Sequence, residues 1–534
     1  MHLRTIHSTA KPHIQIRLFN KSIMKLIGVI LVAFCLLINC SCFGKIINVK
    51  DFGAKGNGYA DDTKAIQAAI NSASEQSLNT IFFPKGTYII GSYNTTSNYL
   101  ENYCLRLHSN ISFLGSGSRS IIKLANNLFD KEDTAANAQL FYGIQISNLT
   151  FNNIQIDLNG SKNLVPKDVI KNNCAIFIIH GRNININNTT IKNASGRNMI
   201  IMMGAGKGLV IQNSQFLNGG HYAGNSVANS NQTDFSFLYC EWDSTVIKHN
   251  LIQQQNIDLA LNGITGGIEI HGSNSLAYKN KIIGCSPGIY ITSSRHVLNN
   301  VKISQNEFIN CVRGISFWVG YTMDNIDINN NKIQLTYFRK WKNYISSGIE
   351  MPNGNTKIFD YLHANGGLVN NLTIAENTIS APDTQLTTDR TAGMVIHSLQ
   401  NSTITKNIIK GMSFGGIILQ GSKWGTSLVS ITNNIFSDFK DNFDTVTPSA
   451  YISIFDSYIL MDKNAPGLKS IDVSDNSFTR SNQKLKMSKL LPTVKGRFSA
   501  IYVALPKNVQ EEIHFSNNKF SDKSESAVEF VNTH

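Results

Sequence analysis

Short apolar–polar alternations, not helical stripes, dominate this chain. Between Asn250 and Asn518 one phrase recurs eight times: a large apolar residue, two variable residues, asparagine, one variable residue, another apolar residue. The copies are Ile247-Asn250-Ile252, Ile303-Asn306-Phe308, Ile328-Asn331-Ile333, Ile374-Asn377-Ile379, Ile404-Asn407-Ile409, Ile431-Asn434-Phe436, Val473-Asn476-Phe478 and Phe515-Asn518-Phe520. Copies lacking the asparagine occur at Phe151-Ile156, Ile186-Ile191, Ile211-Phe216 and Tyr278-Ile283. Successive copies are mostly 25 to 46 residues apart, too irregular for a rigid helical repeat but suited to coils that differ in loop length. The local period is two, with β-branched residues inward, so each copy predicts a short strand and the turn after it. Stacked coils would place the asparagines in a file, each amide bonding the next coil. The expected fold is all-β: a parallel β-helix of about a dozen coils. His249, beside Asn250, reads as a further member of the file.

A second strand type carries the chemistry. Its form is Gly-apolar-x-apolar-x, at GIEIH (267–271), GIYIT (288–292), GISFW (314–318), GIEMP (348–352), GMVIH (393–397) and GIILQ (416–420). Alternation sends the third and fifth residues outward. The middle coils therefore present Glu269, His271, Tyr290, Thr292, Ser316, Trp318, Glu350 and Pro352, whereas the later ones present Val395, His397, Ile418 and Gln420. Two long insertions are expected to flank this face. One, at 218–234, carries His221 and Tyr222; the other, at 334–347, interleaves Tyr337, Phe338, Trp341 and Tyr344 with Arg339, Lys340 and Lys342. Aromatic and cationic side chains together form a platform suited to anionic sugar rings.

The opening is distinctive. NVKDFGAKGNGYADDTKAIQAAI (48–70) predicts a strand, a Gly-rich turn and a helix capped by Asp61 or Asp62. Ala65, Ile66, Ala69, Ile70 and Ala73 share one helical face that would close the first coil. TIFFPKGTYII (80–90) follows as strand, turn and strand. This segment resembles the start of the pectate-lyase-like superfamily of right-handed parallel β-helices, a group with polysaccharide lyases, polygalacturonase-related hydrolases and phage tailspikes. The resemblance implies the fold with its N-terminal capping helix and is nearly silent on the reaction. Gly53, Gly56, Gly58, Asp61 and Asp62 read as structural, not as a phosphate loop.

Composition narrows the setting. Met24-Lys25 before the apolar run Leu26–Ile38 has the form of a secretory signal, so residues 1–44 are set apart from a single β-helix domain over 45–534. Leu37-Ile38-Asn39-Cys40 loosely matches a lipobox, and Cys42 and Gly44 suit an ordinary signal peptidase. Either way the expectation is export, as a secreted or periplasmic protein or an outer-membrane lipoprotein. The apolar run is too short for a transmembrane anchor. Removing residues 1–44 takes the net charge from +13 to +8, and a basic exported protein favours anionic polysaccharide over nucleic acid as partner. Five cysteines remain after Gly44; their odd number and spacing argue against a disulfide framework or a zinc site and predict buried free thiols. A monomer is expected.

β-Elimination on a uronic-acid chain needs a cation on the carboxylate, a base for the C5 proton and an acid for the leaving O4. Arg313 or Arg295 suits the first role. His271 or His221, with Tyr290 or Tyr222, suits the proton transfers, and His296 is a nearby alternative. Trp318, Glu350, Arg339, Lys340 and Trp341 are the candidate substrate-binding residues. Glycoside hydrolysis needs two carboxylates about 5–5.5 Å or 6.5–9.5 Å apart. Glu269 and Glu350, three coils apart, would be separated by roughly 14 Å, too far. Glu241 and Asp243, joined by Glu269, are the candidates for an inverting hydrolase. No cofactor is expected; calcium, bound by some lyases of this fold, would fall to these same acids, but no dense Asp cluster supports it. The expected function is a polysaccharide lyase on an acidic polymer. Resemblance to β-helix lyases such as those of gut Bacteroidota implies a glycosaminoglycan (chondroitin or hyaluronan) first and pectate or alginate second. The alternatives are the hydrolase and a non-catalytic carbohydrate-binding β-helix.

Overall fold

The computed structural model describes residues 44–73, 77–98, 101–129, 138–163, 173–196, 198–219, 235–255, 265–337, 345–351, 367–382, 390–422, 424–439, 449–455, 467–479, 498–505, 512–521 and 528–532. These wind into a right-handed parallel β-helix built from three long sheets, two of 15 strands and one of 14, each strand pairing with its equivalents one coil away. The stack is thus somewhat longer than a dozen coils, because the first coils lack the asparagine phrase. Sheet A begins with Ile46–Asn48, sheet B with Asn57–Asp61 and sheet C with Tyr103–Arg106.

Inward residues stack on their own kind. In sheet A, Ile303, Ile328, Ile374, Ile404 and Ile431 form one buried column. In sheet B, Phe436, Phe478 and Phe520 stack with ring centroids 5.1 Å apart. One α-helix is present among the described residues, α1 (Thr63–Asn71), which buries Ile66, Ala69 and Ile70 in the same core. The two aspartates before it divide the work. Asp61 Oδ1 accepts from the Thr63 and Gly91 N–H groups, and the Asp62 carboxylate grips the N–H groups of Lys55 and Gly56. A strand, Asn57–Asp61, intervenes between the Gly-rich turn and the helix.

The asparagines stand in a file at the corner between sheets A and B. Asn331 shows the bonding: its N–H and its Nδ2 each donate to Asn377 Oδ1 at 2.9 Å, and Nδ2 also donates to the Ile303 carbonyl. Its own Oδ1 accepts the same pair of bonds from Asn306. Asn280 belongs to the file, bonding Asn306 and accepting from Asn250; its apolar neighbour is Ala277, too small to reveal the phrase in sequence. The file continues toward the N-terminus with hydroxyls: Ser214 N–H donates to Asn250 Oδ1, and Thr189 N–H to Ser214 Oγ. His249 is not a member. It is exposed, has a left-handed backbone (φ 55°) and packs edge-on against Tyr278. The residue before each ladder asparagine must turn left-handed, as in Gln305, Asn330, Glu376 and Lys406, so its side chain leaves the core.

A second left-handed position bends the strands of sheet A and favours asparagine, whose short polar side chain tolerates this conformation. Asn274, Asn300, Asn325, Asn371 and Asn401 hold it, with φ between 51° and 56°. Glycines mark the entry to sheet C, for a different reason. A Cβ on Gly314 would lie 2.5 Å from the Gly348 carbonyl oxygen, and one on Gly348 would lie 2.6 Å from that of Gly393. The five cysteines after Gly44 are free and buried, and burial pushes the Cys311 thiol up to about 12.

Two substitutions test this frame. Asn377→Ala removes the acceptor for the Asn331 N–H and both bonds donated by Nδ2; it is expected to cost roughly 3–5 kcal/mol, seen as a lower urea midpoint. Leu428 holds the left-handed position of sheet A with φ 54° and is 56% exposed. Leu428→Asn is expected to stabilise by about 1 kcal/mol, raising Tm, with a new bond to Asn401 like the 2.6 Å one that Asn401 gives Asn371.

Candidate functional site

The outer face of sheet C is ordered by register. One column runs Tyr239, Glu269, Tyr290, Ser316, Glu350, Val395, Ile418. The neighbouring column, two residues on, brings Glu241, His271, Thr292 and Trp318 alongside. Glu269 and Glu350 are three coil steps apart. Polar side chains therefore gather in two linked clusters.

The first cluster surrounds His271. Its Nε2 lies 2.9 Å from Glu269 Oε1, and the other Glu269 oxygen accepts from Ser236 Oγ. A neutral imidazole held this way carries its proton on Nε2 and leaves the lone pair on Nδ1, which faces Ser294 Oγ at 3.4 Å. The Tyr239 ring packs on the imidazole, with centroids 4.7 Å apart. The Tyr239 hydroxyl donates to Glu241 Oε1 at 2.6 Å. Arg295 reaches the same oxygen at 2.7 Å, and Glu241 Oε2 accepts the Gly204 N–H. Burial, then the charges of Glu241 and Glu269, hold the Tyr239 phenol well above its usual range. It is a protonated donor at neutral pH.

The second cluster lies further along the stack. Arg313 is buried, 3.5 Å from Glu350 Oε1, and donates to Ser286. Ser316 and Ser347 donate to the two Glu350 oxygens. Tyr290 packs near Trp318, ring centroids 6.2 Å apart. Its hydroxyl is buried without a partner in hydrogen-bonding geometry. Burial raises the Tyr290 phenol, against the opposing charge of Arg313.

His271, Glu269, Glu241, Tyr290, Arg313, Trp318, Glu350 and Arg295 thus meet on one face. Both arginines are paired with a glutamate, but the Arg313 side chain is 5% exposed and that of Arg295 57%, so Arg295 is the cation within reach of solvent. His296 is exposed in the turn beside Arg295. Asp243 is not on the face: it lies in the turn toward sheet A, where its Oδ1 accepts the Ser273 N–H. His221, Tyr222, Arg339, Lys340, Trp341 and Pro352 lie outside the described residues. Tyr239, Ser236 and Ser294 went unnoticed in the sequence. FSFLY lacks the glycine that marks the other strands of this sheet, Phe237 standing in its place; aligning it with GIEIH would have set Tyr239 beside Glu269. Among the described residues no three His, Cys, Asp or Glu side chains gather as a metal site, and no helix is long and apolar enough to cross a membrane.

The chain is thus a right-handed parallel β-helix with a polar, aromatic cluster on one sheet. Residues 46–332 match the family described as rhamnogalacturonase A/epimerase, pectate lyase-like, and the chain belongs to that family. It is 35% identical over 113 residues to mannuronan C5-epimerase AlgE2 of Azotobacter vinelandii, covering 21% of this chain and 11% of the relative. Alginate lyase 7 of the same organism is 36% identical over 118 residues, 21% of this chain and 13% of that one. Plasmin and fibronectin-binding protein A of Streptococcus pneumoniae is 26% identical over 407 residues, 69% and 50% of the two chains. The chain thus spans about a tenth of the first two relatives and half of the third. Among solved structures, a mutant tailspike of E. coli bacteriophage HK620 in complex with pentasaccharide superposes with TM-score 0.63 at 14% identity, covering 91% of this chain and 80% of that one. The pneumococcal surface adhesin PfbA gives 0.52 at 18%, with 76% and 91% covered. Both show the fold.

Tyr290→Phe tests the orphaned hydroxyl. Deleting a buried, unsatisfied O–H is expected to leave stability unchanged or raise it by about 1 kcal/mol, read as an equal or higher Tm.

Proposed function

We propose that this protein is an exported polysaccharide lyase that cleaves a uronic-acid polymer by β-elimination. The observation that carries the reading is the first cluster: a solvent-facing guanidinium, a carboxylate-oriented imidazole and a high-pKa phenol, joined through Glu269 and Glu241. Arg295 would bind the substrate carboxylate, its forked geometry stabilising the enolate that forms as C5 loses its proton. His271 Nδ1 would take that proton, with Glu269 fixing the ring and stabilising the imidazolium. Tyr239 would protonate the departing O4; its raised pKa keeps the proton in place until the C4–O4 bond breaks. The C5–H electrons become the C4–C5 double bond, and the glycosidic oxygen leaves as an alcohol.

The relatives named for mannuronan and alginate support an alginate-type uronan over the glycosaminoglycan implied by the resemblance to gut lyases. Epimerisation and elimination both begin by removing the C5 proton, so the same residues suit either outcome. A second reading has one observation in its favour. Glu241 and Glu269 are diagonal neighbours on adjacent coils, both outward, which sets two carboxylates on one face as hydrolysis requires. The hydrolase alternative therefore rests on Glu241 and Glu269 without Asp243.

A panel of uronic-acid polymers separates these readings. Elimination gives the ultraviolet absorbance of a double bond conjugated to the carboxylate, and His271→Ala is expected to lower that rate about a hundred- to ten-thousand-fold. New reducing ends without the chromophore would replace the lyase with the hydrolase. Deuterium uptake at C5 without cleavage would mark an epimerase, and binding without turnover would mark a carbohydrate-binding protein.

A further inference from the structure

The reacting groups proposed above are nearly inaccessible. The side chain of His271 is 6% exposed, that of Glu241 5% and that of Glu269 12%, while Arg295 is 57% exposed. The chain path explains part of this closure. Glu241 directly follows the sheet C strand Phe235–Cys240, His271 follows Thr265–Ile270 one coil on, and Arg295 follows Ile289–Thr292 one coil further. Arg295 and Glu241 are thus two coil steps apart, roughly 10 Å at the backbone, yet their charged ends are 2.7 Å apart. The arginine side chain must therefore cross the intervening coil, the one that carries His271. Ser294, its neighbour, already touches the imidazole at Nδ1.

We infer that the Arg295–Glu241 ion pair is an anion-exchange latch over His271, which admits acidic sugars in preference to neutral ones. A substrate carboxylate can offer Arg295 a forked pair of bonds, where Glu241 gives it the single oxygen at 2.7 Å. Once Arg295 turns to it, the strap no longer spans His271, and the arginine holds the substrate beside the base. Glu241 keeps the Gly204 N–H throughout and the Tyr239 hydroxyl until that proton is given up, so releasing Arg295 does not strand a bare buried carboxylate. A neutral sugar has nothing to exchange for Glu241 and leaves the latch shut. The selection arises because a ligand shifts such an equilibrium only by its differential affinity for the two states. This inference rests on the assignment of this face to a uronate.

The test has two arms. In the first, carbethoxylation of His271 by diethyl pyrocarbonate is timed by mass spectrometry, with exposed His249 and His514 as internal references. The wild-type His271 should react slowly. Arg295→Gln and Glu241→Gln should each raise its rate about fivefold or more, leaving the reference histidines unchanged. An unchanged His271 rate in Arg295→Gln overturns the latch. Because Arg295 is largely solvent-exposed, this variant decides the matter even if Glu241→Gln fails to fold. In the second arm, affinity for a uronic-acid oligosaccharide is compared with that for its carboxyl-reduced, neutral counterpart. Arg295→Gln should weaken the acidic ligand about tenfold and tighten the neutral one, which no closed latch now excludes, whereas Glu241→Gln should tighten the acidic ligand. Equal losses for both sugars would overturn the selective role. If no polymer is cleaved, the lyase reading fails, while the labelling arm still decides whether Arg295 covers His271.

Discussion

A coil of parallel strands must turn three corners, and the backbone groups at each corner can be satisfied only by the coil above or below. At the corner between sheets A and B this demand is met by one side-chain type. An asparagine offers one acceptor and two donors, matching what each step leaves open: an N–H from one side, a carbonyl from the other, and the amide of the next asparagine. Because every ladder amide both gives and receives, the bonds reinforce one another along the stack. They also fix register. A strand slipped by one residue would lose its ladder bonds and turn its inward isoleucines to solvent. The position of every outward side chain on sheet C follows from that register, and so does the site.

This explains which parts were legible in the sequence. The asparagine phrase and the glycine-led strands are written in residue types that tolerate few substitutes, so they show in one chain without an alignment. The separation of Glu269 from Glu350 could be counted because each intervening coil carries its glycine-led strand. Asn280 escaped because its apolar partner is an alanine, and Ser214 and Thr189 because hydroxyls fill the slot that asparagine fills elsewhere. His249 misled because one backbone turn moves a residue from the file to the surface, and a left-handed φ leaves no trace in a histidine.

The site was legible as a face but not as a set of contacts. Alternation placed His271, Glu269 and Tyr290 outward, and register brought them together as expected. Alternation could not show that Arg313 spends its charge on Glu350, or that Arg295 reaches back across two coil steps to Glu241. Those pairings depend on the reach of long side chains, which period-two reasoning does not see. Tyr239 was hidden for a local reason, since Phe237 interrupts the glycine column that identifies the other strands.

The columns themselves argue that the cluster is not scaffold. Further along the stack the same outward positions hold Val395 and Ile418, on strands paired in the same register, so the fold has no need of charge there. Burying Glu241, Glu269 and Glu350 within a few coils requires desolvation that only good partners offset. The structure supplies those partners: Ser236, Ser316 and Ser347 hydroxyls, the Gly204 N–H, the Tyr239 phenol and two arginines. A sheet that could be lined with valine and isoleucine instead carries three carboxylates, each with its own set of donors. That investment fits the site proposed for this face. The exposed end of Arg295, the one charged group of the first cluster open to solvent, is the side from which the proposed substrate would arrive.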